Sequence, residues 1–221
     1  MPSRIFPFVN GEFYHVFNRG VAKLPIFGSR TDYKHFLKTM FYYQLEGPKP
    51  KLSSFNPKIH FLDSRKKIVE IVCYCLMPNH FHLLLKQVRD GSITEFVSKL
   101  SNSYTKYFNT KNERVGPLLQ GEFKVVHIKR DEQLIHLSRY IHLNPLIDYL
   151  IKDLKTYPWS SYLEYTSSSS NSVLDKEPIL SQFPSPENYQ QFILDQKDYA
   201  KNLEFLKHQA LDFPDSSQVR G

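Results

Sequence analysis

Two stretches of this chain place side chains where they could do chemistry. In "YCLMPNHFHLLLK" (74–86), His80 and His82 stand one residue apart inside an apolar run. Alternate side chains of a strand share a face, so both imidazoles point one way and Phe81 the other. Such a pair suits a divalent metal. In "DEQLIHLSRYIHLNP" (131–145), His136, Tyr140 and Asn144 recur every four residues. On a helix they form one stripe. Leu134, Leu137 and Ile141 make an adjacent apolar stripe that can pack on a sheet, which carries Tyr140 and Asn144 to the edge of the packed face. An amide oxygen there could complete a hard metal site begun by the two imidazoles. Pro145 disfavours helical geometry in the residue before it, so Asn144 is expected at a helix end or a kink.

Each signal has a plainer reading. A His-x-His tripeptide is weak alone and also fits an exposed sheet edge. The chain has 14 tyrosines, most of which must be packing residues. Cys73, Cys75, His80 and His82 offer a second, zinc-like donor set, but the spacing departs from the usual knuckle. The two cysteines read better as small core residues. His136 and His142 stay undecided, with His136 a candidate accessory to proton movement. His15 and His127 lie in strands and read as structural.

The elements that must position these residues follow from periodicity. "EFYHVFNRG" (12–20) is a strand closed by Gly20. Residues 29–47 are helical, with Ser29 or Thr31 as cap and Gly47 as stop. Residues 48–66 form a loop. "KIVEIVCYCL" (67–76) and "HFHLLLK" (80–86) are antiparallel neighbours across the tight "MPN" turn. Residues 92–111 form a helix with a Ser92–Glu95 capping box. "KVVHIKR" (124–130) is a fourth strand, and residues 131–150 are helical at least to Asn144. The order β-α-β-β-α-β is that of an α+β, ferredoxin-like split βαβ antiparallel sheet, followed by one further helix. Residues 156–165 read as irregular, and 166–172 as a Ser-rich linker. Tyr189, Phe192, Ile193 and Tyr199, Leu203, Leu206 suggest short amphipathic helices in a C-terminal appendage, 173–221.

Composition narrows the partner. The formal net charge is +7 and the isoelectric point about 9.2. Residues 1–165 carry +10 and residues 166–221 carry −3, so the basic part is the first three quarters. That leans toward a polyanion. Cys73 and Cys75 are poorly placed for a disulfide, there is no apolar leader-like run at the start, and no membrane-length apolar stretch. The expectation is a cytoplasmic protein with no membrane partner. No phosphate-cradling glycine loop is present.

Five segments in order, "YHVFNRG", "MPNHFHLLL", "GPLLQGEFK", "YIHLNP" and "YPWSSYLEY", resemble the single-tyrosine HUH transposases of the insertion-sequence-200/605 type and their REP-associated relatives. The resemblance covers about residues 8–165, so domain bounds of 1–165, 166–172 and 173–221 are expected. The "NP" and "WSS" look more like the REP-associated branch. The resemblance implies a prokaryotic, nucleoid-associated enzyme that cleaves and rejoins single-stranded DNA through a 5′-phosphotyrosine, without a nucleotide cofactor. Tyr140 would be the nucleophile, and His80, His82 and Asn144 would hold Mg²⁺ or Mn²⁺. The DNA would be a hairpin-forming palindromic element. Arg19, Lys106, Arg114, Lys124, Lys129, Arg130 and Arg139 would track its backbone, with the aromatics of "SYTKYFN" interleaved. A non-catalytic hairpin-binding regulator on the same scaffold is the alternative. Monomer and homodimer both stay open.

Overall fold

The structure, a computed structural model, describes residues 7–47, 49–56, 60, 62–167 and 173–195. Strands β1 (Phe13–Arg19), β2 (Val69–Met77), β3 (His80–Gln87) and β4 (Lys124–Ile128) form one antiparallel sheet in the order β2-β3-β1-β4. Helix α1 (Arg30–Tyr43) joins β1 to β2, and α2 (Ser92–Lys111) joins β3 to β4. This is the split βαβ arrangement expected from the sequence. Both helices cover one sheet face, where Phe36 packs 5.2 Å from Phe81 and 5.0 Å from Tyr104. Helix α3 (Asp131–Ile147) lies on the other face. Strand β2 is buried on both sides except for the half-buried Glu70, which explains its nearly unbroken apolar run.

An uncovered β2 edge would be a template for unwanted pairing. Residues 156–165, expected to be irregular, instead seal it. Leu76 N–H donates to the Trp159 carbonyl, Ser161 N–H donates to the Tyr74 carbonyl, and Ser160 bridges to Cys75. The Tyr157 and Tyr165 hydroxyls donate to the Leu76 and Val72 carbonyls at 2.7 and 2.9 Å. Trp159 stacks on Tyr33. The segment ends in the short helix α4 (Tyr162–Thr166).

Three local expectations change. Helix α1 stops at Tyr43, four residues before Gly47. The capping box of α2 is not formed: Gly91, at φ 69°, occupies the cap position, a left-handed conformation that suits glycine. Ser92 is buried inside the helix, and Glu95 reaches outward to Arg89 and Lys99. Helix α3 continues through Pro145 to Ile147, so Asn144 is helical. A proline so close to the helix end sacrifices one main-chain bond without breaking the rod.

Of the C-terminal region, α5 (Glu177–Leu180) and α6 (Pro186–Leu194) are described. Tyr189, Phe192 and Ile193 fall on α6 as expected, and Leu174, Ile179, Tyr189 and Ile193 join the same core as the sheet. Residues 168–172 and the Tyr199, Leu203, Leu206 pattern lie outside the described residues.

Candidate active site

The site grows from strand register. His82 pairs with Phe17 of β1 on one side and Cys75 of β2 on the other, and His80 pairs with Arg19 and Met77. Both imidazoles therefore face α3, with ring centroids 5.0 Å apart and planes at 89°. The α3 stripe brings Tyr140 against them. Its ring centroid lies 5.5 Å from that of His82 and 6.3 Å from that of His15, edge-on to each.

His82 is 1% exposed, whereas His80, at 8%, touches a small cleft of about 70 Å³. That cleft is lined by Phe17, Asn18, Arg19, His80, Gln120 and Lys124. Its cationic rim is ordered: Arg19 Nε donates to Gln120 Oε1 at 2.7 Å. Two of the expected cations, Arg19 and Lys124, thus stand beside the imidazole pair. Lys129 and Arg130 are exposed at the start of α3.

Three expected cations do not join this face. Arg139 is buried, its guanidinium 4.1 Å from the Phe192 ring centre and bonded to the Phe192 carbonyl and to His136 Nδ1. Its position next to Tyr140 in sequence turns it a third of a helical turn away, into the joint with α6. His136 likewise contacts Arg139 and Phe192, so its place on the Tyr140 stripe does not bring it to the imidazole pair. Lys106 lies on α2, in a groove on the opposite side of the sheet. Arg114 follows α2 and lies over the Phe108 ring.

The donor set fits a divalent cation. Among the described residues no three of His, Cys, Asp and Glu gather to hold a metal, so a third ligand has to be of another type. Asn144 supplies it. The residue is fully buried, and its amide nitrogen donates to the Tyr140 carbonyl at 3.0 Å, yet its Oδ1 accepts no hydrogen bond. A buried amide oxygen left so costs about 1–3 kcal/mol, which a bound water or cation would relieve. Two imidazole nitrogens and one amide oxygen could hold a divalent ion without any thiolate. Cys73 and Cys75 are buried and not in a disulfide, and burial pushes the Cys73 thiol well above its ordinary range, away from the thiolate a metal requires.

Burial raises the Tyr140 phenol to about 12, opposed by a hydrogen bond from the Asn144 side chain. The phenol is therefore protonated at neutral pH and needs positive charge nearby to act as an oxyanion. His15, read from sequence as structural, has a further relation to the site: its Nε2 lies 2.9 Å from His82 Nδ1. Burial holds its pKa down at about 3, so it is neutral. Asn79 bonds in the same way to His80, Oδ1 to Nδ1 at 2.7 Å. Neither residue was singled out by motif. His15 meets His82 through the β1–β3 register, which strand periodicity alone does not provide, and Asn79 precedes His80 in the β2–β3 turn.

A family model described as "Transposase IS200 like" matches residues 57–144, a span that contains His80, His82, Tyr140 and Asn144. Among solved structures, a REP-associated tyrosine transposase bound to a REP hairpin has 14% identity and a TM-score of 0.56 over 78% of this chain and 89% of that one. A protein of Deinococcus radiodurans R1 assigned as a transposase has 14% identity and a TM-score of 0.36 over 64% of this chain and 93% of that one. No curated protein matches the chain.

Proposed function

We propose that this chain, whose residues 57–144 match the IS200-like transposase family model, has a transposase-like activity: metal-dependent cleavage and rejoining of single-stranded DNA by tyrosine transesterification. The observation that carries this reading is the meeting of Tyr140 with His82, one helical turn from the unsatisfied Asn144 oxygen. His80, His82 and Asn144 would hold one Mg²⁺ or Mn²⁺. That ion supplies charge to polarise a phosphodiester and to stabilise the phenolate and the transition state.

The chain's own groups do the rest. Tyr140 Oη attacks the scissile phosphorus and gives up its proton. The bond from phosphorus to the 3′ oxygen breaks, and that oxygen leaves with the electron pair and takes up a proton. The product is a 5′-phosphotyrosine and a free 3′-hydroxyl. One phosphodiester has been exchanged for another, so a second 3′-hydroxyl can reverse the step without a nucleotide cofactor. Arg19, braced by Gln120, and Lys124, both lining the cleft beside His80, would bind the flanking phosphates. Edge-on packing of Tyr140 against His82 and His15 fixes the ring, so its oxygen need not search for the phosphate. The REP-associated neighbour is bound to a REP hairpin, and we take hairpin-forming single strands as the substrate class here.

The test is direct. Labelled single-stranded hairpin DNA is incubated with the protein and Mg²⁺ or Mn²⁺. Cleavage and an SDS-resistant protein–DNA adduct are expected, both lost in Tyr140→Phe with hairpin binding retained. Normal cleavage by Tyr140→Phe would refute the assignment. Binding without cleavage by the wild-type protein would favour the non-catalytic regulator.

A further inference from the structure

We propose that Asn79 and His15 are positioning residues for the two strand imidazoles: each holds its partner with the proton on Nδ1, so that Nε2 is the nitrogen presented to a cation. The proposal rests on the metal-site reading above and deepens it.

For His80 the proton's position follows from bonding logic. The Asn79 side chain makes two contacts. Its Nδ2 donates to the Lys23 carbonyl at 3.1 Å, and its Oδ1 lies 2.7 Å from His80 Nδ1. A main-chain carbonyl can only accept, so the amide atom facing Lys23 must be nitrogen. That fixes the orientation of an amide that could otherwise be flipped. The atom facing His80 is then oxygen, which also can only accept. His80 Nδ1 must carry the hydrogen, and in a neutral ring Nε2 keeps the lone pair.

The Lys23 carbonyl is itself set by an unusual turn. Ala22 and Lys23 both adopt left-handed backbone, at φ 55° and 59°, which is uncommon for residues with a side chain. Gly20 N–H donates to the Asn79 carbonyl at 2.8 Å, so Asn79 is clipped to this turn by main chain and side chain together. Gly20 has no room for a Cβ, which would lie 2.1 Å from the Leu24 carbonyl oxygen. Strain of this kind persists where the surroundings demand it. Here it aims one carbonyl at one amide.

For His82 the partner is another strand. Phe17 pairs with His82 across β1 and β3, and His15, two residues away on the same face, reaches diagonally to place Nε2 2.9 Å from His82 Nδ1. With Nε2 of His82 facing a cation, its proton lies on Nδ1 and is donated to His15 Nε2. Metal-ligating histidines are commonly oriented in this way, and loss of the orienting group costs about 10–100-fold in affinity.

Two measurements test this on the full chain. In metal-free, ¹⁵N-labelled protein, long-range ¹H–¹⁵N correlation should report Nδ1–H tautomers for His80 and His82. An Nε2–H tautomer at His80 would overturn the proposal, and this needs no variant. Mn²⁺ titration followed by electron paramagnetic resonance should show about 10–100-fold weaker binding in Asn79→Leu and in His15→Phe. His15→Gln keeps an acceptor and should bind near the wild-type value. Wild-type affinity in the Leu and Phe variants, or His15→Gln no better than His15→Phe, would overturn the proposal while the metal site stands. Failure of the wild-type protein itself to bind Mn²⁺ would remove the underlying reading, and the proposal with it.

Discussion

Replacing Tyr189 by phenylalanine removes one oxygen from the buried joint between α6 and α3. The ring would stay packed 5.1 Å from Tyr165 and 5.2 Å from Phe183. The hydroxyl lies 2.7 Å from His142 Nδ1 and 3.1 Å from Ser138 Oγ, and all three residues are fully buried. Ser138 keeps its bond to the Ile135 carbonyl at 2.7 Å, and His142 keeps Ser161 at Nε2. His142 Nδ1 loses its partner. Two hydrogen bonds contribute about 1 kcal/mol each, and a stranded buried nitrogen costs about 1–3 kcal/mol, so the variant should lose about 3–5 kcal/mol. Tyr165→Phe is the internal control, because that hydroxyl serves one acceptor, the buried Val72 carbonyl, and by the same reckoning should cost about 1 kcal/mol less. Urea unfolding should move the midpoint at unchanged slope for both, and further for Tyr189→Phe. A loss below about 0.5 kcal/mol, or one smaller than for Tyr165→Phe, would refute the joint as a hydrogen-bonded unit.

Gly20→Ala should destabilise by about 1–3 kcal/mol, read by the same titration, since its Cβ meets a main-chain oxygen that cannot swing aside. Arg19→Ala and Lys124→Ala should each weaken hairpin binding and reduce the salt slope by about 1, whereas Lys106→Ala, on the far face, should leave adduct formation unchanged. Burial pushes the Asp32 carboxyl up, but bonds from Lys111 at 2.6 Å, Ser29, Tyr107 at 3.0 Å and the Gly28 N–H hold it below its ordinary range. The unfolded chain then binds the proton more readily. This contribution is complete above about pH 4 and is lost as pH falls through the lower folded value. Asp32→Asn should flatten the acid limb of the stability profile measured by urea midpoints.

Much of the scaffold was legible because each element carried its own period. His80 and His82 share a face by strand alternation alone, and Tyr140 and Asn144 share a stripe by helical spacing alone. What joins them, the packing of α3 on the face opposite α1 and α2, is seen only in the structure, where crossover helices α1 and α2 occupy one face and leave the other open. The failures are equally specific. The Ser92–Glu95 pair satisfied the capping pattern, but Gly91 in left-handed backbone outcompeted it. Residues 156–165 carry no strand alternation because they bond to the β2 edge through isolated contacts rather than a ladder. His15 could not be linked to His82 without the β1–β3 register, which nothing in either strand alone dictates.

The same distinction decides which positive charges matter. Net charge leans toward a polyanion as partner but is blind to where each cation ends. In the α1–α2 groove, Lys111 is matched to the buried Asp32 and Lys99 to Glu95, so part of that charge is already neutralised within the protein. Arg139 goes under Phe192, where its guanidinium stacks on a ring and fastens α6 to α3. Arg19 is treated differently: its partner is the neutral amide of Gln120, which orients the guanidinium without cancelling its charge. An oriented, uncancelled cation beside His80, with Lys124 across the same cleft, is what a backbone phosphate requires. The electrostatic case for DNA at this face therefore rests on two residues next to the imidazole pair rather than on the basic balance of the whole chain.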